Sequence, residues 1–218
     1  MRKRYFIAVL VAVIMVFMYA QTVHAEDLKP IKLPAPQTEG GKPLMQALNE
    51  RKSMREFSSA ELSPQVLSDL LWATCGINRP GKGGRTAPTA KNMQEIDLYV
   101  VKAEGVYIYD PKENTLVPAF AGDIRAVTGG QPFVKDAAGD LVFVADLSKM
   151  GGMSAENQNF YAATDTGFMS ENTYLFCASE GLNTVVRGWV DKPALEKAMK
   201  LRPDQKVVLA QTVGYPRR

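Results

Sequence analysis

Arg51-Lys52-Ser53-Met54-Arg55-Glu56-Phe57 places three cations and a hydroxyl in five positions, directly after a short helix-like run from Pro43 to Glu50. A guanidinium is a planar fork that suits phosphate bidentately, and a serine hydroxyl adds a neutral donor. Arg51 and Ser53 therefore form an anion-binding pair. Arg55 stands one helical turn past Arg51, a spacing that would turn both guanidinia toward one ligand. A run this short can equally be a solvated basic turn, and only the rest of the chain separates the two.

Three further stretches bear on that choice. Ala87-Pro88-Thr89-Ala90-Lys91-Asn92-Met93-Gln94 is a loop-like run, and Gly181-Leu182-Asn183-Thr184-Val185-Val186-Arg187-Gly188-Trp189 reads as a strand. Gly214-Tyr215-Pro216-Arg217-Arg218 closes the chain. Taken in order, the four stretches resemble the signatures of the FMN-dependent nitroreductase-like family. These are an Arg-Arg-Ser-x-Arg-x-Phe opening, a Pro-Ser-x-x-Asn-x-Gln loop, a strand passing the flavin ring and a Gly-Tyr-Pro ending. Leu70-Leu71-Trp72-Ala73 and Gly76-Ile77-Asn78-Arg79-Pro80 are most similar to the short SagB-type dehydrogenase branch. The resemblance runs from about Pro43 to Arg218.

That resemblance implies a role for each motif. Arg51 and Ser53 would bind the FMN phosphate or ribityl side. Arg55 would approach the N1–C2 oxygen edge, and Lys52 would contribute there or face solvent. Pro88, Thr89 and Ala90 would shape a loop from which Asn92 hydrogen-bonds the polar edge of the ring. Val185 and Val186 would pack on the ring, and the backbone N–H groups of Arg187 and Gly188 would lie near N5. Arg217 or Arg218 would complete the phosphate site. No side chain is expected to be catalytic, because the cofactor carries the hydride chemistry while the protein orients it. Two departures stand out: Met93-Gln94-Glu95 lacks the aromatic that often follows Gln, and Arg187 replaces a small or acidic residue. The Arg187 guanidinium either points toward the ring, pairs with a carboxylate such as Asp191, or points into water.

The expected function is that of an exported FMN-dependent oxidoreductase moving a hydride to or from a small organic substrate. Nitro compounds and quinones are the acceptors such a site would take in vitro. The electron donor is left unnamed, since free NAD(P)H is not expected outside the cytoplasm. The alternatives are a flavin-binding module or partner subunit without turnover of its own, and an enzyme that oxidatively consumes the flavin itself.

Composition bears on what else the chain can do. Arg2, Lys3 and Arg4 precede a continuous apolar run from Phe6, and Val23-His24-Ala25 has small-x-small spacing. That pattern predicts a cleaved signal peptide over 1–25 and hence a periplasmic protein. The apolar run is short for a membrane span, so no span is expected after cleavage. The leader carries three of the 26 basic residues and none of the 23 acidic ones. The chain beyond Ala25 is therefore electrically neutral and gives no footprint for nucleic acid. The only histidine, His24, lies in the leader. Its loss excludes Ser-His, Cys-His and His-ligated zinc chemistry, and no metal is expected. Cys75 and Cys177 sit in apolar contexts and read as buried free thiols.

The elements that must position these residues follow from local signals. Glu26 to Lys42, with three prolines and two adjacent glycines, reads as a linker, leaving one domain over 43–218. Ser63-Pro64 starts a helix that Gly76 ends, with a loop from Asn78 to Arg85. Ile96 to Lys102 alternates like a half-buried strand, and Gly105–Asp110 with Thr115–Val117 forms a hairpin about Pro-Lys-Glu-Asn. Asp123 to Thr128 reads as a short helix, and Leu141–Ala145 as a fully buried strand. Ala155 to Glu180 is the longest helical stretch, with Ala163, Gly167, Ser170, Tyr174 and Cys177 near one face. Gly167 inside it costs about 1 kcal/mol against Ala, which a close helix contact would offset. Lys192–Leu201 is a further helix and Lys206–Val213 a central strand. The order fits an α+β fold. The resemblance implies an antiparallel-dominated sheet wrapped by helices, in an intertwined homodimer.

Overall fold

The computed structural model describes residues 28–217. The leader, with its cleavage site, and Arg218 lie outside the described residues. Strands β1 (Ile31–Lys32), β2 (Ile77–Arg79), β3 (Gly84–Arg85), β4 (Ile96–Val101), β5 (Gly105–Asp110), β6 (Thr115–Ala121), β7 (Gly139–Asp146), β8 (Asn183–Arg187) and β9 (Gln205–Gly214) alternate with helices α1 (Leu44–Glu50), α2 (Pro64–Cys75), α3 (Ala155–Glu180) and α4 (Lys192–Ala198). Seven strands form one sheet in the order β1-β6-β5-β4-β7-β9-β8, and β2 pairs with β3 alone. Every neighbouring pair in the large sheet is antiparallel. The α+β reading with an antiparallel sheet is borne out.

The sheet is buried on both faces, which corrects the half-buried expectation for β4. Ile96, Leu98 and Val100 pack with Leu70, Leu71, Met169 and Cys177 from α2 and α3. Tyr99 and Val101 pack on the other side with Leu195 and Met199. Alternation with one apolar residue per face cannot distinguish these cases when the second face carries Tyr and Val.

Local signals hold at the helix ends. Ser63 Oγ accepts from the Val66 N–H, and Ser154 Oγ from the Asn157 N–H. Gly181 closes α3 with φ +70°, the left-handed conformation glycine adopts without strain. Gly76 ends α2 for another reason: its backbone is extended, and a Cβ there would lie 2.4 Å from the Trp72 ring. Asn78 to Arg85 is partly ordered as the β2–β3 pair rather than a plain loop.

Residues 28–42 are extended, yet docked rather than free. β1 pairs with β6, and Leu33 is buried. The Pro34 carbonyl accepts from Ser68 Oγ at 2.6 Å and Asn114 Nδ2 at 2.7 Å. The segment read as a linker up to Lys42 therefore belongs to the fold.

The long helix also differs from expectation. Ser170, Tyr174 and Cys177 are buried, whereas Ala163 and Gly167 are exposed. A Cβ on Gly167 would meet nothing within 4 Å, so no contact within the subunit explains this glycine. Phe160 and Phe168 are exposed on the same half of the helix. Among the described residues no helix is long and apolar enough to cross a membrane.

Candidate functional site

Three of the four sequence motifs converge. Arg51 terminates α1 with a non-helical backbone, and residues 52–56 lie outside helix and strand. The helical-spacing argument for Arg51 and Arg55 is therefore corrected. The segment is instead stitched to β8 and to the chain end. The Met54 N–H donates to the Thr184 carbonyl at 2.9 Å, and Asn183 Nδ2 to the Glu56 carbonyl at 2.7 Å. Phe57 bridges Pro216, the Ser58 N–H donates to the Tyr215 carbonyl, and Arg217 Nε donates to the Phe57 carbonyl at 3.2 Å. Phe57 is 1% exposed and packs with Val185, Ala137 and Phe133. Burying such a ring contributes about 1.5–3 kcal/mol, so the Phe of the first motif is its anchor.

Tyr174 on α3 ties the polar residues together. Its hydroxyl accepts from the Val186 N–H at 2.9 Å and shares a 2.7 Å hydrogen bond with Ser53 Oγ. The Arg51 guanidinium carbon lies 5.2 Å from the Tyr174 ring centre, within cation–π range. Sequence reading assigned Tyr174 only to a helix face. A lone hydroxyl-bearing aromatic on the buried stripe of a long helix was its one signal.

Alternation sorts the remaining residues of the first motif. Lys52, Met54 and Glu56 line a cavity of about 550 Å³ with Asn183, Thr184 and Arg217. Tyr174 lines that cavity too, whereas Arg51 and Ser53 do not, so Lys52 shares Tyr174 with the cluster but stands apart from the Arg51 and Ser53 side chains. Arg55 is exposed. Among the described residues neither Arg51 nor Arg55 has a carboxylate partner. An uncompensated guanidinium beside a hydroxyl is the donor set a phosphate requires, so these residues fit a phosphorylated ligand. Arg217 also lines a second cavity of about 1030 Å³ with Arg125, Lys135 and Ser58.

The motif at the end of β8 divides by face. Val186 is half-buried near Tyr174, and Gly188 is exposed. Val185 is 2% exposed against Phe57 and Ala137, so its side chain is unavailable to a ring. Arg187 is corrected more strongly. Its side chain is 2% exposed, and Nη2 meets Asp140 Oδ1 at 2.7 Å on β7. Nη1 donates to the Thr128 carbonyl. Asp140 also accepts from Thr128 Oγ1 at 2.9 Å and from Thr212 Oγ1. Burial pushes the Asp140 carboxyl up to about 6, against the pull of Arg187 and both threonines. Asp191, the partner considered from sequence, instead caps α4 by accepting from the Ala194 N–H.

The second motif is held elsewhere. Lys91, Asn92 and Gln94 have φ near +50°, a left-handed backbone unusual for residues with a Cβ. The Ala90 N–H donates to Asp165 Oδ2 at 2.8 Å, and the Gln94 N–H donates to Thr89 Oγ1 at 3.1 Å. Pro88 and Asn92 are exposed. Asp165 and Tyr174 are nine residues apart on α3, about 13 Å along the axis. Within one subunit the loop therefore sits apart from the Arg51–Ser53 cluster.

Both cysteines are free and buried, as expected. Burial pushes the Cys75 thiol up to about 12 and Cys177 in the same direction, so neither is a ready nucleophile. Among the described residues no His, Cys, Asp or Glu cluster could hold a metal.

Comparison with known proteins decides the family. The Nitroreductase family model matches residues 48–215. This chain belongs to the nitroreductase family. A nitroreductase-named crystal structure from Ralstonia eutropha JMP134 aligns with a TM-score of 0.84 at 43% identity, covering 88% of this chain and 91% of that one. A nitroreductase-named protein of Methanocaldococcus jannaschii is 25% identical over 169 residues, 73% of this chain and 85% of the relative. A nitroreductase-named structure from Desulfovibrio desulfuricans, solved with FMN, shares the fold with a TM-score of 0.58 and 20% identity over 82% of this chain and 89% of that one. As a nitroreductase-family member, the chain is an oxidoreductase that works with flavin.

Proposed function

We propose that this protein is an FMN-dependent oxidoreductase that transfers a hydride to or from a small organic substrate, with nitro compounds or quinones as in vitro acceptors. The observation that carries this reading is the cluster of Arg51, Ser53 and Tyr174 at the exit of β8. FMN supplies hydride acceptance and donation at N5 when bound. Arg51 and Ser53 would hold its phosphate, with Arg217 or Arg218 at the chain end. The Tyr174 hydroxyl fixes Ser53 against the Val186 amide, which leaves the Arg51 guanidinium and the Ser53 hydroxyl to meet the ligand. Arg55 would lie toward the N1–C2 edge, and Val186 with the Arg187 and Gly188 amides along the ring. Pro88, Thr89, Ala90 and Asn92 would form a second wall.

That second wall supports a homodimer in this proposal. The exposed half of α3, with Phe160, Ala163, Gly167 and Phe168, lies on the helix that carries both Asp165 and Tyr174. A second copy packed there would bury its apolar residues, use the space above Gly167 and bring one subunit's loop toward the other's Arg51. The SagB-type branch is also part of the proposal, on the strength of Leu70–Ala73 and Gly76–Pro80, and the electron donor is left open. The purified protein should be yellow, show the two near-visible flavin bands, bleach on anaerobic reduction and scatter light as two subunits. A flavin that stays bound yet is reduced by no donor would favour a module without turnover. Loss of the flavin under oxygen after reduction would favour its oxidative consumption. A one-subunit mass at full occupancy would refute the dimer.

Export to the periplasm belongs to the same proposal, motivated by the leader. The exported protein should begin at Glu26 by N-terminal analysis, and a retained leader would refute it.

A further inference from the structure

Behind the 88–92 loop lie two buried carboxyl groups that the function above does not use. Glu95 is fully buried, and among the described residues neither of its carboxyl oxygens accepts a hydrogen bond. Asp165, 2% exposed, lies within hydrogen-bonding reach of it. Asp165 Oδ2 also accepts the Ala90 N–H at 2.8 Å. Lys149, whose charge acts on Glu95, is engaged elsewhere: its ammonium meets Asp97 Oδ1 on β4 at 2.6 Å and the Gln94 carbonyl at 3.5 Å. A bare carboxylate with no donor in a dry interior is strongly disfavoured. A protonated Glu95 resolves this, because its O–H then donates to Asp165. The Asp165 charge is then met by two donors, the Glu95 hydroxyl and the Ala90 amide.

We propose that Glu95 and Asp165 are a proton-holding latch that positions the 88–92 loop, and that loss of the shared proton loosens the loop. The consequence for flavin rests on the reading of the loop as a flavin wall; the latch itself does not. Ionising Glu95 beside a second carboxyl sets like charges together in a dry interior, which disfavours its charged form. Desolvation, with Asp165 adding to it, pushes Glu95 up to about 7. Ionisation puts two like charges side by side, and the exit available to Asp165 runs through the Ala90 bond. Most of the loop's other bonds are local, from the Asn92 N–H to the Thr89 carbonyl, the Met93 N–H to the Ala90 carbonyl and Gln94 Nε2 to Asn92 Oδ1. Three residues within four positions have left-handed backbones, supported by the Gln94 N–H to Thr89 and Gln94 Nε2 to the Gly83 carbonyl. Such conformations persist only while their surroundings over-determine them.

The sign follows from proton counting. An acid raised from 4.5 in the unfolded chain to about 7 binds more protons when folded across that interval. Stability therefore falls as pH rises through the window and levels off above it.

The experiment is amide exchange of flavin-free protein, corrected for intrinsic chemistry, from about pH 6 to about pH 9. Wild-type protection at Ala90 should fall about tenfold, one order of magnitude for each pKa unit that loop position contributes. Glu95→Gln imitates the neutral acid and should stay flat. A wild-type profile without that fall, or a Glu95→Gln profile parallel to it, overturns the latch. If the variant does not fold, a carboxyl carbon NMR titration of wild type decides, since a Glu95 already ionised at about pH 6 overturns it equally. FMN affinity should weaken over the same interval in wild type only. Protection that falls as expected while affinity stays constant keeps the latch and overturns the placement of the loop on the flavin.

Discussion

Arg187→Gln should destabilise the fold by about 3–5 kcal/mol, the cost of removing one partner from a buried ion pair. The guanidinium is 2% exposed and the Asp140 carboxylate 0%. Removing the cation leaves Asp140 with Thr128 and Thr212 alone in a dry site. Glycine at 129 belongs to the same arrangement, since a Cβ there would lie 1.8 Å from Arg187 Nη1. Chemical denaturation of the flavin-free protein is the measurement. A loss below about 1 kcal/mol would mean the pair is dispensable, as many exposed pairs are. Arg187→Met combined with Asp140→Leu should recover most of the loss, because replacing a whole buried pair by apolar groups is often neutral or stabilising. The flavin midpoint potential should barely move in variants that still fold, because the Arg187 charge is already matched by Asp140.

The Arg187 pair shows where sequence reading stops. Asp140 is 47 residues away and reaches Arg187 across β9, so no spacing rule connects them. Features carried by short stretches were readable. Ser63-Pro64, the ends of the 26-residue α3 and the hairpin turn before Asn114 each depend on two or three neighbouring residues. The second buried face of β4 was not readable, because α4 comes from the far end of the chain. Arg51 and Arg55 misled because α1 ends at Arg51, and Glu56 and Phe57 then follow β8 and the chain end instead of a helix. Gly167 was read as the site of a close helix contact, but a Cβ there would meet nothing within 4 Å, so nothing in the described fold accounts for it.

Arg51→Ala should weaken FMN binding by roughly ten- to hundredfold, the 1.5–3 kcal/mol typical of a hydrogen bond to a charged group. The basis is a guanidinium with no carboxylate partner among the described residues, set 5.2 Å from the Tyr174 ring and beside the Ser53 hydroxyl. Tyr174→Phe keeps the ring but removes the hydroxyl that joins Ser53 to the Val186 amide, and should cost about 0.5–1.5 kcal/mol. Their combined effect should differ from the sum, since both act on one ligand group through one network. Lys52→Ala is the control. Lys52 shares the backbone stretch and the charge but lines the cavity with Met54 and Glu56. If the first motif acted only as a diffuse basic patch, Arg51→Ala and Lys52→Ala would weaken binding alike, and both effects would fade with salt. If the alternation of the segment sorts its residues, only Arg51→Ala should be strongly impaired. Fluorescence titration of flavin-free protein with FMN at two salt concentrations separates the two. Equal losses, or an Arg51→Ala affinity within about twofold of wild type, would remove Arg51 from the phosphate site, because a factor of two is under half a kcal/mol.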